Sequence, residues 1–396
     1  MNWENPSVLQ SLQDLRETLG WAGRDSRIVR WACAYSRCKK RILSGIRQFA
    51  RGVSGKRSKD VRRLRVFFYL AGGMGDAACA RRLVESYKTF LTEADFEVYA
   101  PVPRAVQTVF GDLAYVTAAP SGRVYWKNYD LVIFACLGVK FLYADKTRLA
   151  ALAPAFMPVF EKALAAQKRL GSLWDDPFLT EPALGRWMLK NGGRRFDLMS
   201  FTGGMTLLQD ASSRFSGCVP AREKYGLSGV SYVTFHDGTG HAPTGGSSRS
   251  WPVSHWTRFI HLFKERFPHI KLVQLGGTND SVYLEADICL AGKTELTDLP
   301  DILNGALCHV DTESGLVHLA QFLDVKSVVL FGPSDMRFFG YAKNKNLAAG
   351  ACGGCMWMTP DWMSRCPLGK EASPCMRAVT PEQVAEAVGD ILNPLE

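Results

Sequence analysis

Three stretches of this chain stand between an apolar run and a helical pattern, and each carries groups able to handle an anion or a proton. The first is Gly72-Gly73-Met74-Gly75-Asp76. Glycines there, Gly73 and Gly75 among them, let a backbone approach a ligand closely, and the N-terminus of the following helix favours negative charge. The spacing is not G-x-G-x-x-G, so a dinucleotide fingerprint is poorly supported. Asp76 has two readings: a helix N-cap, or a carboxylate facing the crevice where α/β folds bind ligands. The second stretch, Thr244 to Pro252, combines small residues, the hydroxyls of Thr244, Ser247 and Ser248, and Arg249. It reads as a phosphate cradle or as an ordinary polar loop. His236, Asp237, Gly238 and His241 lie just upstream. The third, Val310 to Ala320, holds Asp311, Glu313, Ser314, Gly315 and His318. Amides at Ser314 and Gly315 can bind a diphosphate, and a carboxylate can hold ribose hydroxyls. His318 alone reads as a satisfied core histidine.

A fourth feature is Cys352-x-x-Cys355 followed by Cys366 and Cys375. Four thiolates at this spacing suit a tetrahedral metal site, with Zn²⁺ the chemical default; free thiols or two disulfides are the alternatives. The other seven cysteines are scattered, mostly in apolar surroundings, which fits buried thiols in a reducing cytosol. No Asp-x-Asp triplet occurs, which argues for phosphate stabilisation by protein groups and against a required Mg²⁺ or Mn²⁺.

The elements that position these residues follow from apolar patterning. Val66–Leu70, Phe96–Ala100 and Leu131–Cys136 read as short buried strands with helical segments between, one of them from Ala77 to about Leu91. A second set begins near Val230. Val230–Phe235, Ile270–Leu275, Leu307–Val310 and Ser327–Phe331 read as strands, with helices at Val253–Phe267, Asp298–Asn304 and Ser314–Leu323. Such alternation predicts parallel α/β sheets. Gly276, at the end of the second of these strands, joins the expected nucleotide-binding set. Val219–Ser228 reads as an inter-domain linker, and Thr380-Pro381-Glu382-Gln383 has a capping-box spacing that opens a last helix.

The 396 residues, 47% of them hydrophobic, are too many for one core and exclude a disordered chain. The net charge of +10 points to an anionic partner, and its distribution is uneven. Residues 1–65 hold sixteen Lys and Arg against five Asp and Glu, whereas the rest of the chain is near neutral. Ile28, Trp31, Tyr35, Cys38, Ile42, Ile46 and Phe49 recur at spacings of three and four among arginines and lysines, which predicts a basic amphipathic helix. No run is long enough to span a membrane, and the start lacks a secretory signal pattern. The expected organisation is a basic helical arm and linker over 1–60, one domain over 61–220 and a second over 221–396, with the cysteine segment 352–375.

Taken in order, these motifs resemble glycosyltransferase family 9, the heptosyltransferases of bacterial cell-surface assembly, over roughly Leu64–Val388. The resemblance is carried by Gly73-Met74-Gly75-Asp76, by Ser247–Trp256, and above all by Asp311–Ala320 with Val328–Pro333. Glu313 stands where the family typically has aspartate, and Asp311, two residues earlier, is the residue that could take over its role. The resemblance implies the GT-B fold, two facing Rossmann-like doubly wound domains. It also implies inverting sugar transfer, usually from ADP-heptose. Asp76 falls on the catalytic base, and Arg249 on a position often held by lysine. Relatives that modify autotransporter proteins carry a four-cysteine iron site here, which makes iron a rival to zinc.

The acceptor implied is a hydroxyl of lipopolysaccharide core or of a protein. The expected location is cytoplasmic; the basic arm reads as an inner-membrane contact through residues 24–65, as a direct binder of an anionic lipopolysaccharide core, or as a helix docked on the catalytic body or at an oligomer interface. Two rival functions are a catalytically inactive scaffold or assembly factor, for which the Glu313 departure leaves room, and nucleic-acid binding through the arm. The neutral body has no motif for the latter.

Overall fold

The computed structural model describes residues 1–22, 62–175, 180–208, 220–238, 247–350, 352–370 and 373–393. They form two compact units. The first is Met1–Ala71, Arg82–Pro101 and Ala114–Gln209; the second is Gly72–Arg81, Val102–Leu113 and Asp210–Glu396.

The first unit is built on five strands: β1 (Leu64–Leu70), β2 (Ala94–Tyr99), β3 (Val116–Ala118), β4 (Leu131–Ala135) and β5 (Val139–Ala144). Their order is β3-β2-β1-β4-β5. The first four run parallel, and only β5 turns back, paired antiparallel to β4. β1 reads Leu-Arg-Val-Phe-Phe-Tyr-Leu because a central parallel strand is covered on both faces. β5 escaped the sequence reading. Its side chains are mostly half-buried, so it lacks a continuous apolar run.

The N-terminal residues belong to this unit. Pro6–Ala22 is a helix. Ahead of it Trp3 stacks on Phe201 at 4.2 Å, and the terminal amine of Met1 pairs with Asp197 at 3.1 Å. Ser11 Oγ accepts a hydrogen bond from Trp187 Nε1 at 2.9 Å. A stretch that composition groups with the arm is thus seated on a folded body by aromatic burial. The expected basic helix at 28–49 lies outside the described residues.

The second unit holds a six-stranded, all-parallel sheet of β6 (Tyr232–His236), β7 (Lys271–Gln274), β8 (Ile288–Cys289), β9 (His309–Thr312), β10 (Ser327–Phe331) and β11 (Lys345–Ala348). The order is β11-β10-β9-β6-β7-β8. From β6 the chain winds outward through β7 and β8, and from β9 outward through β10 and β11. β6 and β9 are therefore the pair at which winding direction reverses, and the crevice beyond such a pair is where doubly wound sheets bind ligands.

One face packs Val233, Phe235, Val310, Val328 and Leu330 against Trp251, Trp256, Phe259 and Phe263 of the segment leading into and forming helix Val253–Arg266. The other buries Tyr232, Val273, Leu316 and Leu319. Helix Pro381–Leu392 opens with the expected capping box: Thr380 Oγ1 accepts from Gln383 N at 3.2 Å, and Gln383 Oε1 accepts from Thr380 N at 2.9 Å.

The stretch expected to be a linker differs. Ala221–Lys224 is a helical turn whose first residue is buried and whose Arg222 is clamped on Asp301, N–H at 2.8 Å and Nε at 3.1 Å. A carboxylate 79 residues downstream fixes it, and local composition could not show that.

Candidate functional site

At the winding reversal, β6 and β9 are in register so that Thr234 faces His309 and His236 faces Asp311. These four polar side chains, all buried, form a continuous relay. Thr234 Oγ1 meets His309 Nδ1 at 3.0 Å, and His309 Nε2 meets Asp311 Oδ2 at 3.2 Å. Asp311 accepts from His236 Nδ1 at 3.0 Å, and His236 Nε2 reaches Asp280 Oδ2 at 3.4 Å. Burial works against the imidazolium of His236, but Asp311 and Asp280 outweigh it and push its pKa up to about 10. Burial likewise works against the Asp311 carboxylate, and the two histidines outweigh it, holding the pKa at about 2.

His236, Asp237 and Asp280 are the one group of three metal-type donors within 4.8 Å of one another among the described residues. Within it, His236 Nδ1 bonds Asp311 and Nε2 faces Asp280.

This geometry corrects the expectation that Asp311 substitutes in a ribose contact. Asp311 is fully buried, and its oxygens are committed to His236, His309 and the hydroxyl of Ser314. Ser314 is the N-cap of helix Gly315–Phe322, with Oγ accepting from Leu316 N at 3.1 Å. Its hydroxyl therefore links the relay to the start of that helix, and its spare ligand-binding capacity is the backbone.

Glu313 lies beside this cap with a second cluster. Its carboxylate meets His318 Nε2 at 3.3 Å, Ser334 Oγ at 2.9 Å and Arg249 Nη1 at 3.4 Å, and Arg249 also donates to the Glu313 carbonyl at 3.1 Å. Burial opposes the Glu313 charge, but His318, Arg249 and Ser334 outweigh it and hold its pKa below the usual range. His318 donates or accepts at Tyr341 Oη, 2.7 Å from Nδ1. Burial opposes its protonation too, and Cys79, Tyr341 and Glu313 raise its pKa well above the ordinary value. His318 is thus a buried histidine with a partner at each ring nitrogen. Arg249 is half-buried, and its Nε has no hydrogen-bond partner.

The Gly72–Arg81 stretch belongs to the same unit. A Cβ built on Gly75 would lie 2.8 Å from Gly315 Cα and 2.9 Å from His318 Cδ2, so only glycine lets these two segments meet. Gly75 sits at the start of helix Met74–Lys88, and Gly315 at the start of helix Gly315–Phe322. Two helix N-termini therefore touch glycine to glycine, and each is the positive end of its dipole. Asp76 is half-buried in the first turn and accepts from Gly73 N at 3.2 Å. The N-cap-like bond and the exposure of the carboxylate coexist. Gly72 has φ +97°, and a Cβ there would strike Asp76 Oδ2.

The hydroxyls of the second motif do a different job from the one expected. Ser248 Oγ donates to the Trp362 carbonyl at 2.5 Å, Ser248 N to that of Met363 at 3.1 Å, and Ser247 Oγ also to Met363 at 3.2 Å. They staple the cysteine-bearing loop, and Arg249 alone of this trio points its charge at the Glu313 cluster. Thr244 lies outside the described residues. Gly276 has φ +157° at the end of β7, and its neighbour Gly277 N donates to Asp280 at 2.5 Å. Gly276 thus shapes the turn that carries one end of the relay.

In the cysteine segment, Cys375 is buried, and burial together with Cys352 and Cys355 pushes its thiol up to about 12. Cys352 and Cys355 are both near enough to act on Cys375, and Cys366 is half-buried in the loop held by Ser247 and Ser248. No three of the sulfurs lie within 4.8 Å of one another among the described residues.

Comparison with known proteins follows this geometry. The E. coli ADP-heptose LPS heptosyltransferase II superposes with a TM-score of 0.53 at 16% identity, covering 84% of this chain and 99% of that one. The family 9 glycosyl transferase of Veillonella parvula gives 0.50 at 16%, covering 85% and 100%. The iron-containing dodecameric glycosyltransferase TibC of enterotoxigenic E. coli gives 0.53 at 13%, covering 86% and 79%. At these identities the likeness establishes the GT-B fold. No curated protein matches in sequence. Residues 231–370 match the model of glycosyltransferase family 9 (heptosyltransferase).

The buried pair sets a pH dependence of stability. The folded pKa of His236 is raised from 6.5 to about 10, so the contribution of its charge is full below 6.5 and is lost as pH rises through about 10. The folded pKa of Asp311 is lowered from 3.8 to about 2, so its contribution is full above 3.8 and is lost as pH falls through about 2. Urea unfolding should show the stability gap between the wild type and His236→Gln constant from pH 4 to 6.5 and shrinking from there toward pH 10. A gap that widens with pH over that upper range would contradict the ion pair.

Proposed function

We propose that this protein is an inverting glycosyltransferase that moves heptose from ADP-heptose to a hydroxyl of a bacterial cell-surface acceptor, lipopolysaccharide core or protein. The observation that carries this reading is the meeting of two helix N-termini at Gly75 and Gly315, next to Arg249 and Asp76. Two positive helix ends and a guanidinium with an unsatisfied Nε call for a multiply charged anion, and a nucleotide diphosphate is one. That TibC was crystallised with ADP-D-beta-D-heptose supports the donor.

In the reaction, Asp76 accepts the proton of the acceptor hydroxyl as its oxygen attacks the anomeric carbon. The bond from that carbon to the diphosphate oxygen breaks, and the electron pair leaves on the nucleotide. Arg249 and the amides at Ser314 and Gly315 stabilise the charge that grows there. Glu313 orients Arg249 and His318 through the bonds described above. A metal on Cys352, Cys355, Cys366 and Cys375, zinc or iron, would order the loop that Ser247 and Ser248 hold, away from the reacting atoms. Residues 24–65 are read as a membrane-surface segment of a cytoplasmic enzyme, since each basic residue near an anionic leaflet contributes ~1 kcal/mol.

Four measurements check these readings. A thermal-shift panel should show ADP-heptose at about 100 times its dissociation constant stabilising the protein by ~2.7 kcal/mol, with GDP, UDP and CDP sugars weaker. Asp76→Asn should keep that shift and lose transfer by roughly 10²–10⁴-fold. No shift with any donor, or full transfer by the variant, overturns the reading. Protein purified without added metal should contain about one zinc or iron per chain, and metal-free, fully folded protein refutes the thiolate site. Deletion of residues 1–60 should abolish flotation with anionic liposomes, and unchanged flotation rules out the membrane role.

A further inference from the structure

The relay at the β6–β9 reversal has no atom at the surface that a donor would need, yet it ends on the residue that starts the nucleotide-facing helix. Asp311 is held from one side by His236 and from the other by Ser314 Oγ, and Ser314 in turn accepts from Leu316 N. His236 also bridges to Asp280, whose carboxylate takes Gly277 N at the end of β7. One imidazolium therefore ties three strand ends together: β6 on which it sits, β9 through Asp311, and the turn after β7 through Asp280.

We infer that His236 is a positioning residue for the donor: it fixes Asp311, which fixes the Ser314 cap, and so sets where the amides at Ser314 and Gly315 point. This inference rests on the nucleotide-sugar reading above. A serine hydroxyl that both donates to a buried carboxylate and caps a helix has one orientation, and its backbone follows. Without the imidazolium, Asp311 loses its direct bond to β6 and keeps only the indirect one through His309 and Thr234, and the cap gains freedom that a bound diphosphate must then remove. Histidine is suited to this place because its two nitrogens point to opposite carboxylates, and no amide side chain spans both.

The two amide replacements separate the arms. Asparagine at 236 puts its Nδ2 where Nδ1 stands and keeps the bond to Asp311; glutamine reaches toward Asp280 and loses it. ADP is titrated calorimetrically into full-length wild type, His236→Asn and His236→Gln, and donor kinetics are measured on each. Glutamine should weaken ADP at least ~10-fold and raise donor KM in parallel with kcat within about threefold, while asparagine stays within about threefold on both. A general loosening of the fold would hurt both variants alike, and that result overturns the inference. So does a folded His236→Gln with wild-type affinity. Should His236→Gln not fold, Asp311→Asn replaces it; a tenfold loss for ADP is expected there, and unchanged affinity overturns the inference. Wild type that binds no ADP or other nucleoside diphosphate would instead defeat the donor reading, and this inference with it.

Discussion

His236 and Asp311 hold each other charged where they sit, with Asp280 and His309 in support. Both are removed from water at the ends of adjacent parallel strands, and an isolated buried charge would neutralise itself rather than bear the desolvation cost. Breaking such a pair by deleting one partner costs ~3–5 kcal/mol, because the survivor is left uncompensated. The register of β6 against β9 is therefore a condition of their charge, and their charge reinforces the register. Everything at the carboxyl end of the second sheet is set from there: the Ser314 cap, the start of helix Gly315–Phe322, and the Gly277 turn after β7.

A second constraint is steric. Gly75 and Gly315 approach so closely that a single added carbon at Gly75 would overlap the opposing backbone. The contact brings together two like-signed helix ends, which is unfavourable unless an anion is bound. Glu313 meets part of this excess with His318 and Arg249, but its carboxylate is already shared among three partners. Arg249 retains an unsatisfied Nε. The site is organised around positive potential with one carboxylate as its spacer, and Asp76 is placed in the first turn of one of the two helices.

How far the sequence foretold this depends on the range of the interactions. The strands β1, β4 and β10 were legible because parallel strands covered on both faces read as unbroken apolar runs. The Thr380 capping box was legible because its partners are three residues apart. Gly75 reads locally as a flexible residue, but the reason for glycine lies 240 residues away at Gly315. Ser247 and Ser248 looked like phosphate ligands because their composition fits one, and their actual acceptors at Trp362 and Met363 come from another loop. His236 was in plain view upstream of the second motif. Its role needed the β6–β9 register, which no local pattern encodes, although the spacing of Thr234 and His236 against His309 and Asp311 is a period-two signal on both strands.

The central claim is that a nucleoside diphosphate sugar binds where β6 and β9 diverge, against the helix that Ser314 caps. Amide hydrogen exchange of the full chain with and without ADP-heptose tests it most directly. The account predicts slowed exchange in Ser314–Leu319 and in the turn Gly276–Asp280, with the outer strands β8 and β11 unchanged. Donor-dependent protection confined to the first unit, with Ser314–Leu319 exchanging as before, would contradict it.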